Sequence, residues 1–82
     1  MKISGKIIDI DNVPLSGANV TLRSGIKSGK VGTIADFEGY FYLESEEFSE
    51  TDLFEVSYIG FTPQLFKANE LKEKKIMMLE SV

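Results

Sequence analysis

Two pairs of carboxylates, Asp9 with Asp11 and Asp36 with Glu38, are the nearest thing in this chain to a metal-ligand set. Oxygen donors of this kind suit calcium, which takes about six to eight of them. The spacing of an EF-hand loop is missing, and Asp-x-x-Gly is first a turn signal. Asp36 can accept from the backbone amide two residues on, and Gly39 can take a positive φ without a Cβ clash. The turn accounts for both residues, so no metal is expected. A second carboxylate group, Glu44, Glu46, Glu47, Glu50 and Asp52, could supply an acid/base pair of the glycosidase type. Such a pair needs a buried, perturbed member in a cleft, whereas a run on a polar loop reads as a solvated face. Ser24 to Lys30 holds two glycines and two lysines. It lacks the Gly-x-x-x-x-Gly-Lys-Ser/Thr spacing and a following helix, so it is not a phosphate loop.

Aromatic residues offer binding instead of catalysis. Tyr40, Tyr42, Phe37 and Phe61 could form a platform for a sugar or a partner surface. Alternation along Tyr40–Leu43 sends Phe41 and Leu43 to one face and Tyr40 and Tyr42 to the other. The bland alternative is one tyrosine covering a sandwich edge and the other exposed by chance. Tyr40, Tyr42 and Phe37 are the binding candidates. Asp36, Gly39, Pro14, Gly17 and Gly60 are read as structural turn residues.

Composition removes other chemistries. The chain has no histidine and no cysteine, which excludes Cys/His zinc sites, Ser-His-Asp triads and disulfides within it. No catalytic residue and no cofactor are expected. A net charge of −4 gives no electrostatic grip on nucleic acid. No apolar run approaches the roughly 20 residues of a membrane helix. The 82 residues are expected to form a single domain, 1–82, excised from a longer exported protein.

The elements that must carry these residues are short strands. Ile3–Ile10 reads as a strand, followed by turn formers from Asp11 to Gly17, with Pro14 unable to donate to a central ladder. In Ala18–Arg23, Ala18, Val20 and Leu22 point inward. Ser24–Lys30 is a loop. Val31–Ala35 and Tyr40–Glu44 read as a β-hairpin about Asp36–Gly39. Ser45–Asp52 is an acidic loop around a lone Phe48. Leu53–Ile59 is a strand, Gly60 marks a bulge or bend, and Phe61–Lys67 continues. Ala68–Glu73 suits one helical turn, and Lys74–Glu80 is a closing strand. Seven short strands without a long helix predict an all-β fold, a seven-stranded antiparallel β-sandwich or small barrel.

Four blocks in this order are specific: Ile3-Ser4-Gly5-Lys6-Ile7-Ile8-Asp9, Val13-Pro14-Leu15-Ser16-Gly17-Ala18-Asn19-Val20, Gly32-Thr33 through Gly39-Tyr40-Phe41, and Val56-Ser57-Tyr58-Ile59-Gly60-Phe61. Together they resemble the carboxypeptidase-regulatory-like (transthyretin-like or prealbumin-like) domain. More narrowly they resemble the version at the mature N-terminus of TonB-dependent outer-membrane transporters and other exported proteins of Bacteroidetes-type bacteria. The likeness runs from Ile3 to about Leu79. It implies a Greek-key sandwich of the prealbumin-like type and a non-catalytic accessory or interaction module in the periplasm or cell envelope, associated with the outer membrane. Its implied partners are other domains of the same parent chain or a periplasmic or envelope protein. Nucleic acid is not expected, nor is direct membrane insertion by this domain. Two departures stand out: Ala35 replaces a common threonine, and Met1-Lys2-Ile3-Ser4-Gly5 lacks the apolar h-region of a signal peptide. The alternative function is a carbohydrate-binding or adhesin-like module that holds a glycan on the tyrosines.

Overall fold

The structure, a computed structural model, describes residues 1–78 and 80. Seven strands form: β1 Lys2–Ile8, β2 Asn19–Leu22, β3 Gly32–Ile34, β4 Tyr40–Glu44, β5 Leu53–Ser57, β6 Gln64–Lys67 and β7 Lys74–Met77. They make two packed sheets, one ordered β4-β1-β7 and the other β3-β2-β5-β6. The fold is an all-β sandwich, as the alternation predicts.

The inward parity of each strand fills the space between the sheets. Ile3 and Ile7 of β1, Phe41 of β4 and Ile76 of β7 face Val20 and Leu22 of β2 and Phe54 and Val56 of β5. Burying side chains of this size contributes about 1.5–3 kcal/mol each. Phe48, from the acidic loop, closes the core by packing edge-on against Phe54 at 4.9 Å. Leu71 and Met78 are fully buried beyond the strand ends.

Three expectations need correction. β3 and β4 are not hairpin partners: β3 pairs with β2, and β4 pairs with β1. The tight turn between them carries the chain from one sheet to the other. Alternation and turn chemistry look alike in a hairpin and in such an arch, because both are local. Second, β7 runs parallel to β1, with Ile7 opposite Ile76, while all other strand pairs are antiparallel. The chain crosses from β6 to β7 through a single 3-10 turn at Ala68–Glu70, so β7 re-enters in the direction of β1. Third, several strands are shorter than read. β1 stops at Ile8, β5 at Ser57, and β6 begins only at Gln64. Gly60 sits in a turn closed by the Phe61 amide donating to the Tyr58 carbonyl at 3.0 Å, with φ of 87°. Leu79, read into the closing strand, lies outside the described residues.

Gly5 sets the spacing of the three-stranded sheet. It lies between Phe41 and Lys74, and a Cβ there would run into the Lys74 carbonyl and, at 2.8 Å, the Phe41 ring. The missing side chain lets the Phe41 ring lie across β1.

Candidate functional site

The acidic pairs are turns. The Asp36 carboxylate accepts from the Glu38 and Tyr40 amides at 3.0 and 2.9 Å. The Asp36 amide donates to the Tyr40 carbonyl, and the Gly39 amide to the Asp36 carbonyl. Asp9 makes the same set: its carboxylate accepts from the Asp11 and Val13 amides at 2.8 and 2.9 Å, its amide donates to the Val13 carbonyl, and the Asn12 amide donates to its carbonyl. The fourth residue of each turn has positive φ, 67° at Asn12 and 84° at Gly39. Among the described residues no cluster of three potential ligands gathers for a metal ion. Pro14 bridges to Ile8 outside the main ladders and packs beside Gly39, while Gly17 takes a φ of 87°.

Of the aromatic candidates, the structure brings Tyr40 and Tyr42 together and leaves Phe37 apart. Both tyrosines are about half exposed, at 50% and 56%, on the outer face of the β4-β1-β7 sheet. Phe37 is 79% exposed at the tip of the Asp36 turn and lines neither depression described below. Phe61 is half-buried against Tyr58, with ring centroids 5.8 Å apart. Strand register builds two rows across the outer face. One is Tyr40, Lys6 and Lys75; the other begins Tyr42 and Ser4. The Lys6 ammonium lies 5.0 Å from the Tyr40 ring centroid, a cation–π contact. The Tyr42 hydroxyl donates to Glu44 at 2.8 Å. That bond to a carboxylate raises the phenol's pKa above its ordinary value, with burial and the Glu44 charge adding in the same direction.

Two shallow depressions lie in series along β1. One, of 420 Å³, is lined by Lys6, Tyr40, Lys74 and Lys75 with Ser4 and Glu73. The other, of 630 Å³, is lined by Lys2, Tyr42 and Lys72 with the same Ser4 and Glu73. The floor is low because Ser4 is small. The far wall is held by the Ser4 amide donating to the Leu71 carbonyl at 2.9 Å, and by the Glu73 amide donating to the Ser4 hydroxyl at 3.2 Å. Glu73 takes a left-handed φ of 56°, a conformation that costs a non-glycine residue of order 1 kcal/mol.

Sequence reading missed the lysines. Lys2, Lys6, Lys72 and Lys75 line this trough with only Glu73 among them and Glu44 beside Tyr42, while Lys74 lends its backbone and turns its ammonium to the Phe66 ring at 5.2 Å. The rest of the chain carries five basic residues against eleven acidic ones. Among the described residues the ion pairs are Arg23–Glu55 and Lys27–Glu47, so the four trough lysines have no carboxylate within 4.0 Å. The phase of Lys2 and Lys6 against Ile3 and Ile7 was legible in β1, but nothing local places Lys72 and Lys75 beside them.

The acidic loop serves structure. Asp52 accepts from the Ser49 amide at 2.8 Å and the Ser24 hydroxyl at 2.9 Å, and these bonds hold its carboxyl below the usual aspartate range. The Ser24 oxygen in turn accepts from the Leu53 amide at 2.9 Å. The loop Ser24–Lys30, rejected as a phosphate cradle, is thereby tied to the start of β5.

Residues 3–82 match the family described as CarboxypepD_reg-like domain. A 62-residue stretch, 76% of the chain, is 37% identical to part of the TonB-dependent receptor SusC of Bacteroides thetaiotaomicron, and it spans 6% of that receptor's length. No helix among the described residues is long and apolar enough to cross a membrane. With a match covering nearly its whole length, and a seven-stranded sandwich to carry it, the chain belongs to the CarboxypepD_reg-like domain family.

Proposed function

We propose that this chain is a non-catalytic accessory module of a cell-envelope protein, the N-terminal domain of a TonB-dependent outer-membrane transporter. The observation that carries the reading is the family match over residues 3–82 together with 37% identity to a TonB-dependent receptor. Residues 1–82 act as one domain of a longer exported chain and contact its other domains or a periplasmic partner. Two features support a binding role over a catalytic one. The buried side chains among the described residues are all apolar, which offers no desolvated acid or base to tune. Tyr40 and Tyr42 meanwhile share an exposed face with lysines that have no ion-pair partner among the described residues.

The test is deletion of this domain from the parent transporter in its native host. The expected result is a barrel still inserted in the outer membrane, with substrate uptake reduced. Unchanged uptake and unchanged partner association would sink the reading. A second reading, a glycan-binding module, draws on the same tyrosine pair. It predicts glycan-array binding that disappears in Tyr40→Ala or Tyr42→Ala; an array without any binding removes it.

A further inference from the structure

We infer that the trough over β1 is a docking groove for an extended acidic peptide segment carrying carboxylates four residues apart. This rests on the reading of the domain as an interaction module and names the chemistry of its partner. Charge complementarity carries the argument. The trough gathers four lysines, Lys2, Lys6, Lys72 and Lys75, without ion-pair partners among the described residues, on a chain whose net charge is −4. Such a surface attracts an anionic partner.

The lysines are not spread evenly. Lys6 and Lys75 stand at one depression, and Lys2 and Lys72 at the other. Lys2 and Lys6 are four residues apart on one strand, about 13 Å at a rise near 3.3 Å per residue. An extended peptide lying along β1 has the same rise, so its side chains at i and i+4 reach the two clusters together. Its residue i+2 faces the junction, which Ser4 and Glu73 share. A carboxylate there meets the Glu73 charge; a serine or threonine meets a hydroxyl. Tyr40 and Tyr42 form the β4 wall and give the peptide apolar contact. Strand addition at the β4 edge is a poorer alternative, because Asp36 already occupies both the amide and the carbonyl of Tyr40.

The experiment titrates the 82-residue chain with two end-capped pentapeptides, followed by amide NMR shifts at low salt. Glu-Ser-Ser-Ser-Glu and Ser-Glu-Ser-Glu-Ser have the same composition and net charge. The expected result is about fivefold tighter binding of the first, with shifts at Ser4, Lys6, Tyr40 and Tyr42 and weakening as salt is raised. Lys6→Gln with Lys75→Gln weakens it about tenfold, at the few-fold effect typical of each partly exposed charge. Glu73→Gln tightens the second peptide more than the first and narrows the gap between them. Equal binding of the two peptides overturns the proposal. So does an unchanged affinity in the double lysine variant with its spectrum otherwise intact. A polygalacturonate trisaccharide binding more tightly than either peptide would assign the trough to an acidic glycan instead. These outcomes are independent of the deletion test: a transporter indifferent to losing the domain removes the accessory role while leaving groove binding measurable.

Discussion

Asp9 and Asp36 close the same five-residue turn at neighbouring points of one end of the sandwich. Each carboxylate accepts from the amides two and four residues ahead, and each turn ends with a left-handed residue, Asn12 in one and Gly39 in the other. The turns touch through Ile7, whose amide donates to the Gly39 carbonyl at 2.8 Å, and through Pro14, which lies against Gly39. One turn lets β1 double back toward Pro14, and the other passes the chain between sheets.

The shared geometry predicts unequal responses at the fourth position. A Cβ at Gly39 would lie 2.6 Å from the Ile7 carbonyl oxygen, at a φ of 84°. Gly39→Ala is expected to cost about 2–3 kcal/mol, left-handed strain plus a backbone clash. Asn12→Gly is expected to change stability by less than about 0.5 kcal/mol, since relief of strain offsets the added chain entropy. Urea unfolding of the two variants measures the contrast.

Gly5→Ala tests the close approach of three strands. Its methyl meets the Lys74 carbonyl and the Phe41 ring, and the backbone atom cannot yield without moving β7. A loss of about 2–3 kcal/mol is expected. The thermal midpoint should fall by roughly 10 °C or more for a chain of this size.

The Phe48–Phe54 contact should show coupling. Phe54→Ala is expected to cost about 3–5 kcal/mol and Phe48→Ala somewhat less. Their edge-on packing at 4.9 Å adds about 0.5–1.5 kcal/mol of interaction. A double-mutant cycle in which the two losses simply add would refute that contact's contribution.

Asp52 makes stability depend on acid. Its folded-state pKa is depressed by the Ser49 amide first and the Ser24 hydroxyl next. A depressed carboxyl contributes stability that is present above its unfolded pKa, about 3.9, and is lost as pH falls through the lower folded value. Wild type should therefore exceed Asp52→Asn in stability at pH 6, with the difference shrinking in the acid range. A constant difference across that range would contradict the assignment.

Tyr42 gives the opposite sign at alkaline pH. Its bond to Glu44 raises the folded pKa, so its contribution is present below about 10 and is lost as pH rises through the higher folded value. In Glu44→Gln the Tyr42 phenol should ionise at lower pH than in wild type, read by NMR of its ring protons.

The alternation of Ala18, Val20 and Leu22, and of Phe41 and Leu43 against Tyr40 and Tyr42, made strand faces legible because side-chain direction in a strand is a local, two-residue property. The Asp36 turn was legible for the same reason. The Asp9 turn carries an equal signal, Asp followed three residues on by Asn at a φ of 67°.

By itself, then, the chain determined its strands, its inward residues, its turns and its family. Pairing belonged to the tertiary structure. Whether Tyr40 follows Ile34 within one sheet or across to the other, and whether Lys75 lies beside Lys6, depends on strand contacts far apart in sequence. Pairing direction leaves no mark on alternation, so the parallel β1–β7 pair could not be read. It is this pair that sets Lys72 and Lys75 opposite Tyr40 and Tyr42 and turns two scattered sequence features into one basic, aromatic trough.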